Sequence, residues 1–152
     1  MPDYIKAGPS GGVGGGAFSA LGEAFFPPGS TPIRISMISI WSGIYIDAIQ
    51  LEFTDAGGLT SMTPKYGGDG GALFSQRLAP NEFITSVVGT YGDYVDSLQI
   101  KTNLNIFPHL GSKGARTLEY FGTSLQKGIQ IQGFWGSSGK YIDALGIFVA
   151  LP

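Results

Sequence analysis

Apolar and polar residues alternate along much of the chain, in short runs separated by glycine-rich segments. Strand-like runs cover Ile33 to Trp41, Phe83 to Val88 and Ile129 to Trp135. A period of two predicts β-strands. The alternation changes parity at Met37-Ile38, which indicates either a β-bulge or a strand buried on both faces. Only Ala17 to Phe26 weakly suggests a helix, and glycine interrupts it, so the pattern predicts an all-β protein.

One five-residue motif, Gly-x-Tyr-[Ile/Val]-Asp, occurs three times, each time leading into a further alternating run. We call each copy a pentad. The pentads are Gly43-Ile44-Tyr45-Ile46-Asp47, Gly92-Asp93-Tyr94-Val95-Asp96 and Gly139-Lys140-Tyr141-Ile142-Asp143. Their spacing is close to one third of the 152-residue chain. Three such copies indicate an internal repeat, with a loop and a carboxylate at the mouth of each unit.

A glycine-rich loop accompanies each pentad. The loops are Gly11 to Gly15, Gly67 to Gly71 and a degraded copy, Leu110 to Gly114. In the third loop, Leu110 stands for the first glycine and Lys113 for the fourth, so that Gly114 is the expected counterpart of Gly15 and Gly71. The first two loops do not continue into Gly-Lys-[Ser/Thr], which argues against a phosphate-binding loop.

Composition narrows the class of protein. The chain has 25 glycines, 13% charged residues and a net charge of −2, with no lysine or arginine cluster. We therefore expect one domain over residues 1–152 and no nucleic-acid partner. No apolar run approaches the ~18 residues of a membrane helix, so membrane insertion is not expected. The segment Met1 to Gly16 lacks the pattern of a signal peptide, which predicts a soluble protein, cytoplasmic or released without a standard signal.

The pentads and loops resemble those of the jacalin-related lectins, in particular their mannose-binding branch. The resemblance rests on Gly11 to Gly15 after Ile5-Lys6, on Tyr66 to Gly71, and on the run Ile131 to Val149 around Gly139 and Asp143. It implies an all-β fold, a β-prism I of three four-stranded antiparallel Greek-key sheets with pseudo-threefold symmetry. Periodicity alone does not distinguish a prism from a trefoil. Three pentads make the chain similar to the members that carry three sites per prism.

The resemblance also implies how each sugar site is assembled. It pairs Asp143 with the loop ending at Gly15, Asp47 with the loop ending at Gly71, and Asp96 with the loop ending at Gly114. In these sites the aspartate would accept hydrogen bonds from the 4- and 6-hydroxyls of a hexose. Each loop would contribute one amide, and others would come from the second and third residues of the pentads, which are Ile44 and Tyr45, Asp93 and Tyr94, and Lys140 and Tyr141.

Several finer expectations follow from the same residues. The tyrosine rings would pack on the C–H face of the sugar or wall the site, and the Asp96 site is expected to be the weakest. We expect the aspartates to be loop residues at the surface. Galactose-binding relatives have a processed chain, but Met1 to Ser10 shows no cleavage signal, so mannose or glucose, in high-mannose-type glycans, is the expected ligand. The resemblance leaves a homodimer open.

Two rival functions stay open at this point. Aspartate pairs can hydrolyse glycosides, but three equivalent aspartates show no division into acid and base, so we do not expect an enzyme. The second rival is a structural or protein-interaction β-prism module that binds no sugar. The chain has no cysteine and one histidine, His109, which we read as a loop residue. No carboxylate cluster suits a metal ion, and we expect no cofactor.

Overall fold

The computed structural model describes residues 4–30, 32–122 and 130–150. This part of the chain forms β-strands and one 3₁₀ turn, Gly22–Phe25. The strands are β1 Tyr4–Gly11, β2 Gly16–Leu21, β3 Arg34–Ser42, β4 Ile46–Thr54, β5 Thr60–Met62, β6 Tyr66–Gly67, β7 Ala72–Arg77, β8 Ile84–Tyr91, β9 Val95–Thr102, β10 Leu110–Gly111, β11 Arg116–Phe121, β12 Gln130–Ser138 and β13 Ile142–Ala150. The predicted strand from Ile129 is seen from Gln130 onward, since Ile129 lies outside the described residues. The weak helical candidate Ala17 to Phe26 contains most of β2 and the 3₁₀ turn.

Three antiparallel sheets make up the fold. Their strand orders are β1-β13-β12-β2, β5-β4-β3-β7 and β10-β9-β8-β11. Strands β5 and β6 pair with the same edge of β4, one beside the end of β4 and the other beside its start. Together they fill one strand position, so each sheet has four strand positions. Because β1 and β2 flank the hairpin of β12 and β13, one unit is assembled from both ends of the chain. The predicted all-β prism of three four-stranded sheets is confirmed.

One hydrophobic core fills the space between the sheets. The middle strands β4, β9 and β13 contact one another, and all three sheets contribute buried side chains. Phe53 of β4 and Phe134 of β12 are completely buried. Strand β13 is buried at every position from Ile142 to Val149, whereas the edge strand β7 has no fully buried residue. Burial on both faces explains why β13 is an almost continuous apolar run, whereas β4 and β9 keep the alternation of apolar and polar residues.

The parity break in the first long strand is a register irregularity that all three sheets share. Pairing of β3 with β4 shifts between Ile35 and Met37, as a β-bulge requires. The same shift occurs between Ile84 and Ser86 in β8, and between Ile131 and Gly133 in β12. Of the two alternatives predicted from Met37-Ile38, the structure shows the β-bulge, which lies at Ser36, and the bulge is part of the repeating unit.

The pentads connect the two long strands of each sheet and lie together at one end of the prism. In each pentad the glycine N–H donates to the tyrosine carbonyl at 2.9 Å, which makes a tight turn. The rings of Tyr45, Tyr94 and Tyr141 pack against one another, with centroids 4.8–5.0 Å apart. The three carboxylates are therefore grouped around the pseudo-threefold axis.

Truncation of Phe53 tests the core. Phe53→Ala removes a fully buried ring that stacks on Phe25 at 6.2 Å. We expect the free energy of unfolding to fall by about 3–5 kcal/mol, because the change combines lost apolar burial with a cavity. Urea denaturation measures it. Val13→Ala, at a fully exposed loop position, is the control and should change stability by less than about 0.5 kcal/mol. Equal effects of the two variants would contradict the packing described.

Candidate functional site

Each glycine-rich loop is bonded to the pentad aspartate of its own sheet. One residue near the start of each loop donates its backbone N–H to the aspartate carbonyl. These bonds run from Gly12 to Asp143 at 2.9 Å, from Gly68 to Asp47 at 3.0 Å and from Ser112 to Asp96 at 2.8 Å. The structure thus brings together each loop and pentad that the sequence paired.

Two of the loops approach the carboxylate so closely that only glycine fits. A Cβ added to either of the last two loop glycines would lie within 3 Å of a carboxylate oxygen. The distances are 2.9 Å from Gly14 and 2.5 Å from Gly15 to Asp143, and 2.8 Å from Gly70 and 2.7 Å from Gly71 to Asp47. Gly15 and Gly71 also have φ of +78° and +86°, which other residues rarely adopt.

The third loop matches the other two with an offset of one residue from the prediction. Gly111 lies opposite Ser97 in the ladder, just as Gly67 lies opposite Ala48 and Gly11 opposite Ala144. Ser97, Ala48 and Ala144 each follow the pentad aspartate, so they fix the correspondence.

The predicted equivalence of Gly114 with Gly15 and Gly71 is therefore wrong. Gly114 takes the place of the preceding glycines, and Ala115 takes the place of Gly15 and Gly71. The true departures from the glycine pattern are Ser112 and Ala115, while Lys113 occupies the variable middle position. Aligning the three loops by sequence matched the last glycine of each loop. In the structure, strand pairing determines which loop residues correspond.

These departures give the loop at the Asp96 site a different set of hydrogen bonds from the other two loops. Within the described residues no residue other than glycine has positive φ. Ala115 therefore does not adopt the backbone conformation of the last loop glycines, Gly15 and Gly71. The N–H of Gly114 donates to Thr90 Oγ1 at 2.7 Å, and that hydroxyl is bonded to Ser97 Oγ at 2.6 Å. A Cβ on Gly114 would overlap Asp96 Oδ2, a closer approach than in the other sheets.

The pentad aspartates are buried, contrary to the expected position on surface loops. Each is the second residue of its strand, and Asp47, Asp96 and Asp143 are only 6%, 9% and 6% exposed. The glycine loop that folds over each aspartate covers it. Burial raises the pKa of all three carboxyls, and at Asp96 the charge of Asp93 adds to the effect. Among the described residues, Asp47 Oδ1 has no hydrogen-bond partner.

Unused backbone donors lie at the tips of the same pentads. Within the part of the chain that the structure describes, the second and third pentad residues donate their N–H groups to no protein acceptor. These residues are Ile44 and Tyr45, Asp93 and Tyr94, and Lys140 and Tyr141. A carboxylate that accepts and amides that donate suit a ligand with neighbouring hydroxyl groups.

The tyrosine side chains of the three pentads pack against one another, a contact that the sequence did not predict. Tyr45, Tyr94 and Tyr141 direct their rings at one another around the axis, with interplanar angles of 55–67°. Such tilted and edge-to-face pairs are favourable aromatic arrangements. The rings therefore join the three pentads into one surface.

A buried carboxylate elsewhere in the fold behaves differently. Glu82 is 6% exposed, but it accepts hydrogen bonds from Thr102 Oγ1, Asn105 Nδ2 and the Ala79 N–H. Burial alone would raise its pKa, but these bonds outweigh burial, and the pKa is lowered. Glu82 is a satisfied structural group, whereas the pentad carboxylates keep acceptor capacity free, as a binding site requires.

The described residues contain neither a candidate metal site nor a candidate membrane-spanning helix. No group of three or more His, Cys, Asp or Glu side chains there is placed to hold a metal ion. No helix among those residues has the length and apolar character needed to cross a membrane.

Comparison with known proteins identifies the family. Residues 7–148 match the model of the jacalin-like lectin domain. The chain is 31% identical to horcolin from Hordeum vulgare subsp. vulgare, over 98% of this chain and 99% of horcolin. It is 32% identical to a mannose/glucose-specific lectin from Parkia platycephala, over 95% of this chain and 32% of that longer protein.

Solved structures agree with the sequence relatives. A mannose-binding jacalin-related lectin from Ananas comosus superposes with a TM-score of 0.81 at 25% identity, covering 98% of this chain and 99% of that one. The chain therefore belongs to the jacalin-like lectin family, a family of carbohydrate-binding β-prism proteins that are not enzymes.

Proposed function

We propose that this lectin binds mannose and glucose residues, such as those of high-mannose-type glycans, through its three Gly-x-x-x-Asp sites. One observation carries the proposal. At the end of each sheet, one pentad carries both a buried carboxylate, covered by a glycine loop, and two unused amide N–H groups. The mannose/glucose specificity in the name of the Parkia relative, and the mannose binding of the Ananas lectin, favour this ligand class over galactose.

The geometry accounts for the chemistry of recognition. An ionised aspartate accepts from two neighbouring sugar hydroxyls, and hydrogen bonds to a charged group contribute about 1.5–3 kcal/mol. The free N–H groups of the pentad and the loop donate to sugar oxygens. Because the last loop residues near Asp47 and Asp143 are glycines, no side chain blocks the approach of the ring.

The three sites are not equivalent. The Asp47 and Asp143 sites keep both final loop glycines, while the Asp96 site uses the Gly114 amide internally and sets Asp93 beside the carboxylate. We propose that the first two bind more tightly. Their common position at one end of the prism lets a branched glycan contact more than one, which can raise avidity by ~10² or more.

The carboxylates are retained at a cost to folding. Burial raises their pKa. The ionised carboxylate present at neutral pH therefore makes the folded state less stable, relative to the unfolded chain, than a neutral carboxyl would. A group that opposes folding and lines a ligand site is more readily explained by function than by structure.

Replacing single aspartates tests the assignment of the sites. We expect Asp47→Asn and Asp143→Asn each to lower the number of methyl α-mannoside molecules bound per chain by one, because the amide loses charge and acceptor capacity. Isothermal titration calorimetry measures the stoichiometry. The control Glu119→Gln removes a charge from an exposed position of β11 and should leave the stoichiometry unchanged. Methyl α-galactoside is the ligand control. Unchanged stoichiometry in both aspartate variants, or equal binding of the galactoside, would contradict the proposal.

Acid should weaken sugar binding earlier than an ordinary aspartate would allow. The raised pKa of Asp47 and Asp143 means that protonation begins above the usual value of about 3.9. Below the raised pKa we expect affinity for methyl α-mannoside to fall about tenfold per pH unit, because proton and sugar compete for the carboxylate. Calorimetry across the pH range measures this, with circular dichroism as the control for folding. Affinity that stays constant down to the usual aspartate pKa would speak against the buried carboxylates as acceptors.

Stability should respond oppositely to neutralising a pentad carboxylate and a structural one. The folded-state pKa of Asp47 is raised, so its contribution to stability is full below the unfolded pKa and is lost as pH rises through the folded pKa. At pH 7, Asp47→Asn should therefore raise the free energy of unfolding, and the gain should shrink on acidification.

The matched control is Glu82→Gln, since the folded pKa of Glu82 is lowered by its hydrogen bonds. This change should lower the free energy of unfolding at pH 7. Urea denaturation of both variants gives the comparison. Destabilisation of similar size in both would remove the distinction between binding and structural carboxylates.

A further inference from the structure

The three sites are linked in a ring, because each glycine-rich loop also contacts the pentad of the next sheet. The contacted atom is always the carbonyl oxygen of the second pentad residue. Gly12 lies against Asp93, Gly68 against Lys140, and Ser112 against Ile44. Every loop therefore borders two sites, its own and that of a neighbouring sheet.

One of these junctions is built differently from the other two. At Gly12 and Gly68 the loop backbone packs directly on the neighbouring carbonyl, and an added Cβ would overlap the oxygen. At the third junction the residue is serine, and Ser112 Oγ donates a hydrogen bond to the Ile44 carbonyl. A side-chain bond thus replaces a direct backbone contact.

Ser112 is itself tied firmly to its own sheet. Its N–H donates to the Asp96 carbonyl at 2.8 Å, and its carbonyl accepts from Thr90 Oγ1 at 3.3 Å. The backbone is anchored beside the Asp96 site while the hydroxyl reaches the pentad of the Asp47 site. Ser112 can therefore hold the Ile44 carbonyl in a fixed direction.

The direction of that carbonyl matters because of the peptide group to which it belongs. The Ile44 carbonyl and the Tyr45 N–H are parts of one planar peptide unit. Fixing the oxygen fixes the direction of the hydrogen, and a hydrogen bond to the oxygen also strengthens the N–H as a donor. The Tyr45 N–H is one of the unused donors beside Asp47.

We propose that Ser112 is a positioning residue for the Asp47 site, although it belongs to the loop of the Asp96 sheet. The proposal rests on the proposed function, since it concerns a donor of that sugar site. It gives a reason for one departure from the glycine pattern, because the serine supports the neighbouring site.

Single-site proteins test this proposal. The double variant Asp96→Asn/Asp143→Asn keeps only the Asp47 site. In this parent, Ser112→Ala and Ser112→Gly should weaken methyl α-mannoside binding about 2- to 10-fold, the range of one net hydrogen bond. Ser112→Thr, which keeps the hydroxyl, should retain the parent affinity. The glycine variant is the sharpest, because it restores the pattern of the other loops and yet should bind less well.

The matched control is the parent Asp47→Asn/Asp96→Asn, which keeps only the Asp143 site. The same three changes at position 112 should leave its affinity unaltered, because Gly68 rather than Ser112 borders the Lys140 carbonyl. Equal loss in both parents would indicate a general effect on the fold and would overturn the proposal. So would unchanged affinity of the alanine and glycine variants in the Asp47-only parent.

A spectroscopic measurement separates this proposal from the proposed function. In ¹H–¹⁵N spectra without sugar, Ser112→Ala should shift the Tyr45 amide resonance and leave the Tyr141 resonance in place, while Ser112→Thr should restore the first. If the Tyr45 resonance does not shift when the Ser112 hydroxyl is removed, the positioning role is overturned. If the Asp47-only parent binds no sugar, the proposed function fails and so does the role in binding. The resonance then still decides whether Ser112 holds this peptide.

Discussion

At the end of two of the three sheets a carboxylate packs against bare glycine backbone, and this contact constrains both the loop sequence and the strand that carries the aspartate. Near Asp47 and Asp143, a single added methyl group on the loop would fall within 3 Å of a carboxylate oxygen. The loop must therefore be glycine, the aspartate must be buried, and the strand that carries it must start at a fixed point. The bond from the loop N–H to the aspartate carbonyl fixes that register in each sheet.

Burial without full hydrogen bonding distinguishes the pentad carboxylates from the other buried acids. Glu52 is bonded to Ser36 and to Arg77, and hydrogen bonds also satisfy Glu82, so the pKa of both is lowered. The pentad aspartates have raised pKa values instead. The fold tolerates this because each lies at the end of a strand, where a ligand can reach the remaining acceptor positions. Free donors and free acceptors in one place are the physical basis of the proposed sugar sites.

Local pattern was sufficient for the repeat and much of its detail. The period of two predicted the strands, and the pentads predicted the turns. The parity change at Met37-Ile38 predicted either a bulge or burial on both faces, and the structure has a bulge close to it that recurs in every sheet. What local pattern could not supply depends on contacts between distant residues. The true position of Gly114 follows from pairing of Gly111 with Ser97. The burial of each aspartate arises when a loop distant in sequence folds over it. The packing of the three tyrosine rings and the bond from Ser112 to Ile44 arise only when three sheets meet at one axis.

Contact between a sugar and the pentad backbone beside a buried carboxylate can be mapped residue by residue by NMR. Assigned ¹H–¹⁵N spectra would follow every amide of the unaltered protein during titration with methyl α-mannoside. We expect the Tyr45 and Tyr141 resonances to shift at the lowest sugar concentrations, and the Tyr94 resonance to follow only at higher concentration, because the loop beside Asp96 bonds its Gly114 amide internally. Saturable shifts confined to residues away from the pentads, with these three amides unmoved, would contradict the proposed sugar sites.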